Sequence, residues 1–310
     1  MNEESLKSPG TWRRIVTSDA DLSKKQRNTV IAWAALAPVL LWLLVFKYLA
    51  LGWNIVLTFF DRSYTGEMSF VGLENWSMLM QDPVFPTALR NTIILFATIP
   101  VGIALALFIA ILLNQKFPGS KVFRSVFFLP YITMMVAIAV IWQYMFHTEQ
   151  GVINQMLLNV GLIDTQISWL GDSGWAIVSV FMVQVWKTTG FYVIIILAGL
   201  QTIPQQVYEV SRIDGASRWQ QFRYLTLPLL KPTLGVCMLV GVVISFRLFD
   251  LINVMTGGGP GNSTEILLTW IYQQMFAYGD FGYGAVLSTI MVVATVLVAY
   301  IGLKLQQVSY

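Results

Sequence analysis

Charge is scarce in this sequence: 11% of its 310 residues are Asp, Glu, Lys or Arg, against 56% hydrophobic. So little polar material cannot coat soluble domains of this length, so lipid must be the solvent for most of the surface. Cysteine occurs once, as Cys237, which excludes an intramolecular disulfide and any cysteine-based metal cluster within the chain. Its place in an apolar run suits a small core residue. Histidine also occurs once, as His147, and one imidazole does not make a metal site. No Gly-rich stretch, Gly257-Gly258-Gly259-Pro260-Gly261 included, is followed by the Lys-Ser/Thr pair that holds nucleotide phosphates. ATP hydrolysis is therefore not expected of this chain. A membrane enzyme would need a clustered nucleophile, base or metal set, and none is visible. Internal repeats and low-complexity tracts are lacking too.

Long apolar runs are what the sequence has instead. A bilayer core takes roughly 20 apolar residues per helical span. Runs of that kind predict an all-α, polytopic membrane protein with six spans, near 30–52, 91–113, 122–146, 176–200, 233–256 and 284–305. Residues 1–28 read as a polar tail with a short surface helix around Trp12 to Val16, and 29–310 as the transmembrane domain. The apolar run from Val30 is too long for the core of a cleavable signal peptide, so the first span is expected to stay in the membrane.

Charge placement tests this layout independently, because Lys and Arg are retained on the cytoplasmic side during insertion. Lys24, Lys25 and Arg27 precede span 1, and Lys116, Lys121 and Arg124 separate spans 2 and 3. Arg212, Arg218, Arg223 and Lys231 separate spans 4 and 5, and Lys304 ends span 6. The alternate loops carry mostly acid, among them Asp61, Glu67, Asp82, Glu149, Asp172, Glu265 and Asp280. Both termini are thus expected in the cytoplasm, in a multi-pass protein of the cytoplasmic membrane. The net charge of +3 is explained by these inside residues and gives no reason to expect nucleic acid.

On the opposite side, Gly72 suits a turn leading into an interfacial helix with Trp76 at headgroup level. The Gly257–Gly261 segment must bend tightly, after which Ser263 or Thr264 can cap a helix through Trp270 and Met275. On the inner side, the loop over 203–231 opens with Pro204, suited to starting a helix, and reaches Gly215, suited to ending one. Asp214 or Ser217 can cap a second short helix, and Pro228 limits it. That helix aligns Trp219, Phe222 and Leu225 on one apolar stripe facing the cytoplasm, a surface that wants a partner groove.

This loop resembles the signature of the inner-membrane permease subunits of binding-protein-dependent ATP-binding-cassette importers. Glu209, Gly215, Leu225, Leu227 and Pro228 stand at the signature's spacing, with Val210 and Ser211 in place of its two alanines. Leu129-Pro130-Tyr131, Trp186-Lys187, Asp214-Gly215-Ala216, Phe249-Asp250 and Thr256-Gly257-Gly258-Gly259-Pro260 look like the carbohydrate permeases of the maltose, glycerol-phosphate and trehalose type. The resemblance covers 90–310 well. It implies half of a sugar-translocation pore, coupled to a cytoplasmic ATPase through Glu209, Asp214, Gly215, Ala216, Trp219, Phe222, Leu225 and Pro228. It also implies a second, homologous permease, two ATPase subunits that carry the ATP and Mg, and an extracytoplasmic sugar-binding protein. No cofactor is implied on this chain.

Charged groups in lipid cost several kcal/mol unless paired or wet, so Lys187 and Arg247 need explaining. Arg247 can pair with Asp250 three residues on. Lys187 has no acid within one turn and is expected to face a wet path, the other reading being a structural acceptor between spans. In the resembling permeases the sugar sits midway across the membrane between spans 3, 4 and 5. Residue by residue this implies Tyr131, Gln184, Lys187, Thr188, Phe191 and Ser245. Two cations do not separate anionic from neutral substrates here. The rival class, an ion-coupled secondary transporter, predicts buried carboxylates and usually an internal repeat, whereas Asp250 is the only acid near a span.

Overall fold

The computed structural model describes residues 24–62, 68–115, 118–245 and 248–307. The expected helix around Trp12 and the charged Arg247 lie outside them. The chain forms two compact units, 1–53 and 54–310. Helix α1, Gln26–Leu57, belongs to the first as far as Trp53, and its most apolar window has no buried residue.

In the second unit a hairpin, β1 (Phe60–Arg62) and β2 (Met68–Phe70), pairs Phe60 with Phe70. Gly72, at φ +61°, then turns the chain into α2, Glu74–Gln81. The long helix α3, Phe85–Asn114, follows. Next come α4 (Ser120–Ile132), α5 (Met135–Met145), the short α6 (Val152–Asn159) and the central α7, Ser173–Thr202. The chain continues through α8 (Gln205–Ile213), α9 (Arg218–Ser245), α10 (Leu248–Met255), α11 (Leu267–Tyr272) and α12 (Phe281–Gln307). Among the described residues, five helices are long and apolar enough to span a membrane, or six if the bent pair α4–α5 counts as one span.

Two elements depart from expectation. The predicted third span is not one rod: α4 and α5 meet at 99°. Pro130 lacks the N–H of its helical turn, and Thr133 and Met134 take extended ψ values of 141° and 136° before α5 begins. Pro228 does not end a separate short helix, because Phe222–Thr226 is wound as a π segment in which the Leu227 N–H reaches Phe222 O. The wider turn accommodates the proline, and α9 runs unbroken from the loop at Arg218 to Ser245.

The buried face of α7 packs chiefly on α3, α4 and α9. Tyr192 and Ile196 are nearly inaccessible in one core with Ile99, Ile103 and Leu230, and Val180 and Val183 in another with Ile138, Leu251 and Ile252. Backbones approach closely where glycine allows it: a Cβ on Gly190 would lie 1.7 Å from the Phe127 carbonyl oxygen. Around Gly199 and Gly241, Thr233 and the pair Ile99–Tyr192 fill the corresponding space. Cys237 is buried in the same core.

The 256–266 segment is clamped onto α3. Asn91 Nδ2 donates to Ser263 O at 2.7 Å and to Glu265 O at 2.9 Å. Thr264 is spent on Gly259 O and Thr256, so it does not cap the next helix as expected. Instead Thr92 Oγ1 accepts from Leu267 N and Thr269 Oγ1 from Ile266 N. Glu265 is fully buried, with its carboxylate receiving Thr269 Oγ1 and Gln273 Nε2. Burial pushes its carboxyl above the usual range, and the two donors oppose that shift. On the neighbouring segment, Asp82 Oδ2 receives Trp270 Nε1 and the Tyr283 hydroxyl.

Candidate functional site

A bent helix leaves carbonyls without their usual donors, and in lipid each must be satisfied from within the protein. At the α4–α5 bend the donor is Lys187 of α7. Its Nζ donates to Thr133 O at 2.6 Å, Pro130 O at 3.0 Å and Tyr131 O at 3.3 Å. The ammonium sits at the negative end of α4's dipole, and the side chain is 7% exposed. Lys187 thus finds its partners in backbone carbonyls of another helix, which sequence spacing along one helix does not reveal.

Beside the bend lies a cavity of ≈ 360 Å³, walled by Tyr131, Thr133, Met134, Lys187, Thr188 and Asp250, among others. Of the residues singled out from the sequence, Tyr131, Lys187 and Thr188 line it. Phe191 joins them by stacking on Tyr131, with centroids 4.3 Å apart and planes at 19°. Gln184 is one turn away and 2% exposed, and its Oε1 has no partner among the described residues. Thr188 Oγ1 donates to Gln184 O. Ser245 is elsewhere: its hydroxyl donates to Gly241 O, and it borders a separate cavity of ≈ 20 Å³ with Thr92, Phe96 and Leu248. Sequence reasoning left Thr133 and Asp250 out of the site. Asp250 was visible as a possible partner for Arg247 and as part of the Phe249-Asp250 motif, not as a lining residue.

At the far end of α7, the Pro204–Pro228 loop is a helical corner. Helix α8 ends at Asp214, whose N–H reaches Val210 O, and Gly215 turns with φ +80°. Ser217 begins α9 with a reciprocal capping box, its Oγ accepting from Gln220 N while Gln220 Oε1 accepts from Ser217 N. A hydrogen bond of 3.0 Å between the Tyr208 and Thr226 hydroxyls ties α8 to α9. Glu209 and Asp214 are exposed, while Ala216, Phe222, Leu225 and Pro228 are half-buried. Trp219 is 69% exposed and packs against Phe222 with ring centroids 5.5 Å apart and planes tilted by 37°. The outward apolar surface also includes Val210, Tyr224 and Ile213, the last 86% exposed. Helical spacing of 210 and 213 on α8 was the available signal for two of these.

Residues 98–307, more than half of the chain, match the family of binding-protein-dependent transport system inner membrane components. The chain belongs to that family. This inner-membrane component is 38% identical over 266 residues to a probable ABC transporter permease protein of Pyrococcus horikoshii, covering 85% of this chain and 91% of the relative. It is 35% identical over 287 residues to the lactose transport system permease protein LacF of Rhizobium radiobacter, covering 90% and 95%. Its fold is similar to that in the crystal structure of a bacterial ABC transporter that imports the acidic polysaccharide alginate. There the TM-score is 0.76 at 22% identity, with 92% of this chain and 97% of the other covered. The inner-membrane component is a multi-pass membrane protein that acts in transport.

Proposed function

We propose that this inner-membrane component is the permease half of an ATP-driven sugar importer. It pairs with a second permease, with two cytoplasmic ATPase subunits that hold ATP and Mg, and with an extracytoplasmic sugar-binding protein. Both termini face the cytoplasm, as the basic loops favour. The observation that carries the reading is the continuity of α9: one rod runs from the exposed Trp219 of the loop to Ile244, on the wall of the bend cavity. A push on the loop is therefore delivered inside the bilayer. The similarity to a lactose permease protein supports a sugar as cargo.

The Glu209–Pro228 loop docks in a groove of the ATPase, with Ile213, Trp219 and Tyr224 as its apolar contacts and Glu209 and Asp214 at the rim. The ATPase shifts the permease between inward-facing and outward-facing states only if it holds the loop differently in its two nucleotide states. The sugar passes the cavity at the α4–α5 bend, where the Tyr131–Phe191 stack presents an aromatic edge to its C–H groups. Lys187 keeps the bend in shape, and Thr188 and Gln184 extend the polar lining of the path. Affinity isolation of the tagged chain from native membranes, followed by reconstitution in proteoliposomes, tests the reading. A co-isolated ATPase and ATP-dependent uptake of a disaccharide are expected. Uptake driven by an ion gradient without ATP would refute it.

A further inference from the structure

We propose that the cavity behind the helical corner is a site for the phosphodiester headgroup of an anionic membrane lipid. The inference goes beyond the import reading: it concerns the lipid around the protein, whatever the cargo. The cavity measures ≈ 520 Å³. It lies at the membrane boundary, between the last turns of α3 and α7, helix α8 and the start of α9. Arg212 of α8 and Arg218 of α9 flank the Gly215 turn, and both line it.

The wall suits an oxyanion. Guanidinium groups match phosphate oxygens bidentately, and Asn114, Gln115 and Gln221 add amide donors from the same wall. None of the described residues lining the cavity is acidic. The acids closest in sequence, Glu209 and Asp214, are exposed and lie off the wall. The ends of α3, α7 and α8 each contribute the equivalent of roughly half a negative charge, and the start of α9 half a positive one. Two guanidinium charges outweigh that sum and leave the wall positive. Arg124, which donates to Leu113 O at the end of α3, adds to it. Lys116, next in sequence after Gln115, lies outside the described residues, and its charge has the same sign.

Arg212 has a local explanation, since the helix dipole favours a cation in the last turn of α8. Arg218 has the opposite setting. It occupies the first turn of α9, where the dipole disfavours a cation. An anion between the two arginines removes that conflict. Basic pockets between transmembrane helices, on the side where Lys and Arg gather, bind anionic lipid headgroups. Ile111, Leu200 and Phe222 give the cavity an apolar side for the lipid's glycerol backbone and first methylenes, a surface that free phosphate would not use. A phosphodiester held by both arginines bridges α8 and α9 across the turn and ties them to the end of α3.

The test uses the complete complex, isolated through this chain and placed in phosphatidylcholine nanodiscs to which phosphatidylglycerol is added stepwise. Native mass spectrometry reads the lipid retained after partial delipidation, and the thermal unfolding midpoint is followed at each step. Both are read on the assembled fraction. Wild type is expected to retain phosphatidylglycerol over phosphatidylcholine, and its midpoint to rise and saturate. Arg212→Gln and Arg218→Gln should each weaken the apparent affinity for phosphatidylglycerol roughly tenfold, with part recovered in Arg218→Lys. Arg223→Gln removes the same charge from an exposed residue that does not line the cavity, and should stay near wild type. Equal retention of the two lipids by wild type overturns the inference, as does an unchanged affinity in both Arg212→Gln and Arg218→Gln. An equal loss in all three Gln variants also overturns it, because uniform attraction of anionic lipid to a basic surface then suffices. Glycerol 1-phosphate that raises the midpoint equally in pure phosphatidylcholine would assign the site to a free phosphate ester and overturn the lipid.

Discussion

Replacing Lys187 with Met keeps the length of the stem and removes its three donors. The carbonyls of Pro130, Tyr131 and Thr133 then lose a partner at 3.0, 3.3 and 2.6 Å. A buried acceptor left without its donor costs about 1–3 kcal/mol. Tyr131 and Thr133 border the ≈ 360 Å³ cavity, so water entering it replaces part of the loss and sets the cost at the lower end. About 1 kcal/mol for each carbonyl sums to ~3 kcal/mol, enough to loosen the α4–α5 bend. The expected result is a lower thermal unfolding midpoint and a smaller yield of assembled complex, measured by fluorescence-detected size exclusion over a temperature series. Lys187→Arg, which retains charge and donors at a larger volume, should recover part of both. Sugar affinity per assembled complex should change little. Normal yield and midpoint in Lys187→Met, with affinity alone reduced, would show that the ammonium serves the substrate and not the bend.

Gly190→Ala forces a methyl to within 1.7 Å of Phe127 O, a backbone atom that cannot rotate away. The α7–α4 crossing must open, at a cost of about 1–3 kcal/mol, and purified yield should fall, further for Gly190→Val; wild-type yield and midpoint in both would refute the crossing. Gly215→Leu meets open space, so its penalty is the left-handed backbone at φ +80°, about 1–2 kcal/mol, and Asn should be tolerated better there. The expected outcome is ATPase co-isolation reduced in Leu and largely kept in Asn, and equal co-isolation from both would remove the turn from the coupling argument. Glu265 has a raised folded pKa, so the folded chain keeps a proton that the unfolded chain releases. Its contribution is most favourable below the ordinary value of 4.5 and is lost as pH rises toward the shifted one. Glu265→Gln should flatten this part of the pH dependence and match or exceed wild-type stability at neutral pH, checked by unfolding midpoints from about pH 4 to 8. An identical pH profile in the variant would refute the assignment.

Apolar run length and the placement of Lys and Arg suffice to announce a polytopic helical membrane protein, because lipid leaves the backbone few choices and hydropathy is a local property. The loop was equally legible. Pro204, Gly215 and Ser217 act through their own φ values and caps, which depend on immediate neighbours. The bend after Pro130 was not, since a proline inside an apolar run is compatible with both a kinked rod and a broken one. Packing decided it: Gly190 lets α4 lie against α7, and Lys187, 54 residues from Thr133 in the chain, supplies the donors that a break requires. Without that third helix the free carbonyls would have no partner in lipid. The same holds for Ser245 and Asp250, which are five positions apart in sequence but border different cavities. Which cavity each reaches depends on the helices packed around it, and that packing belongs to the tertiary structure.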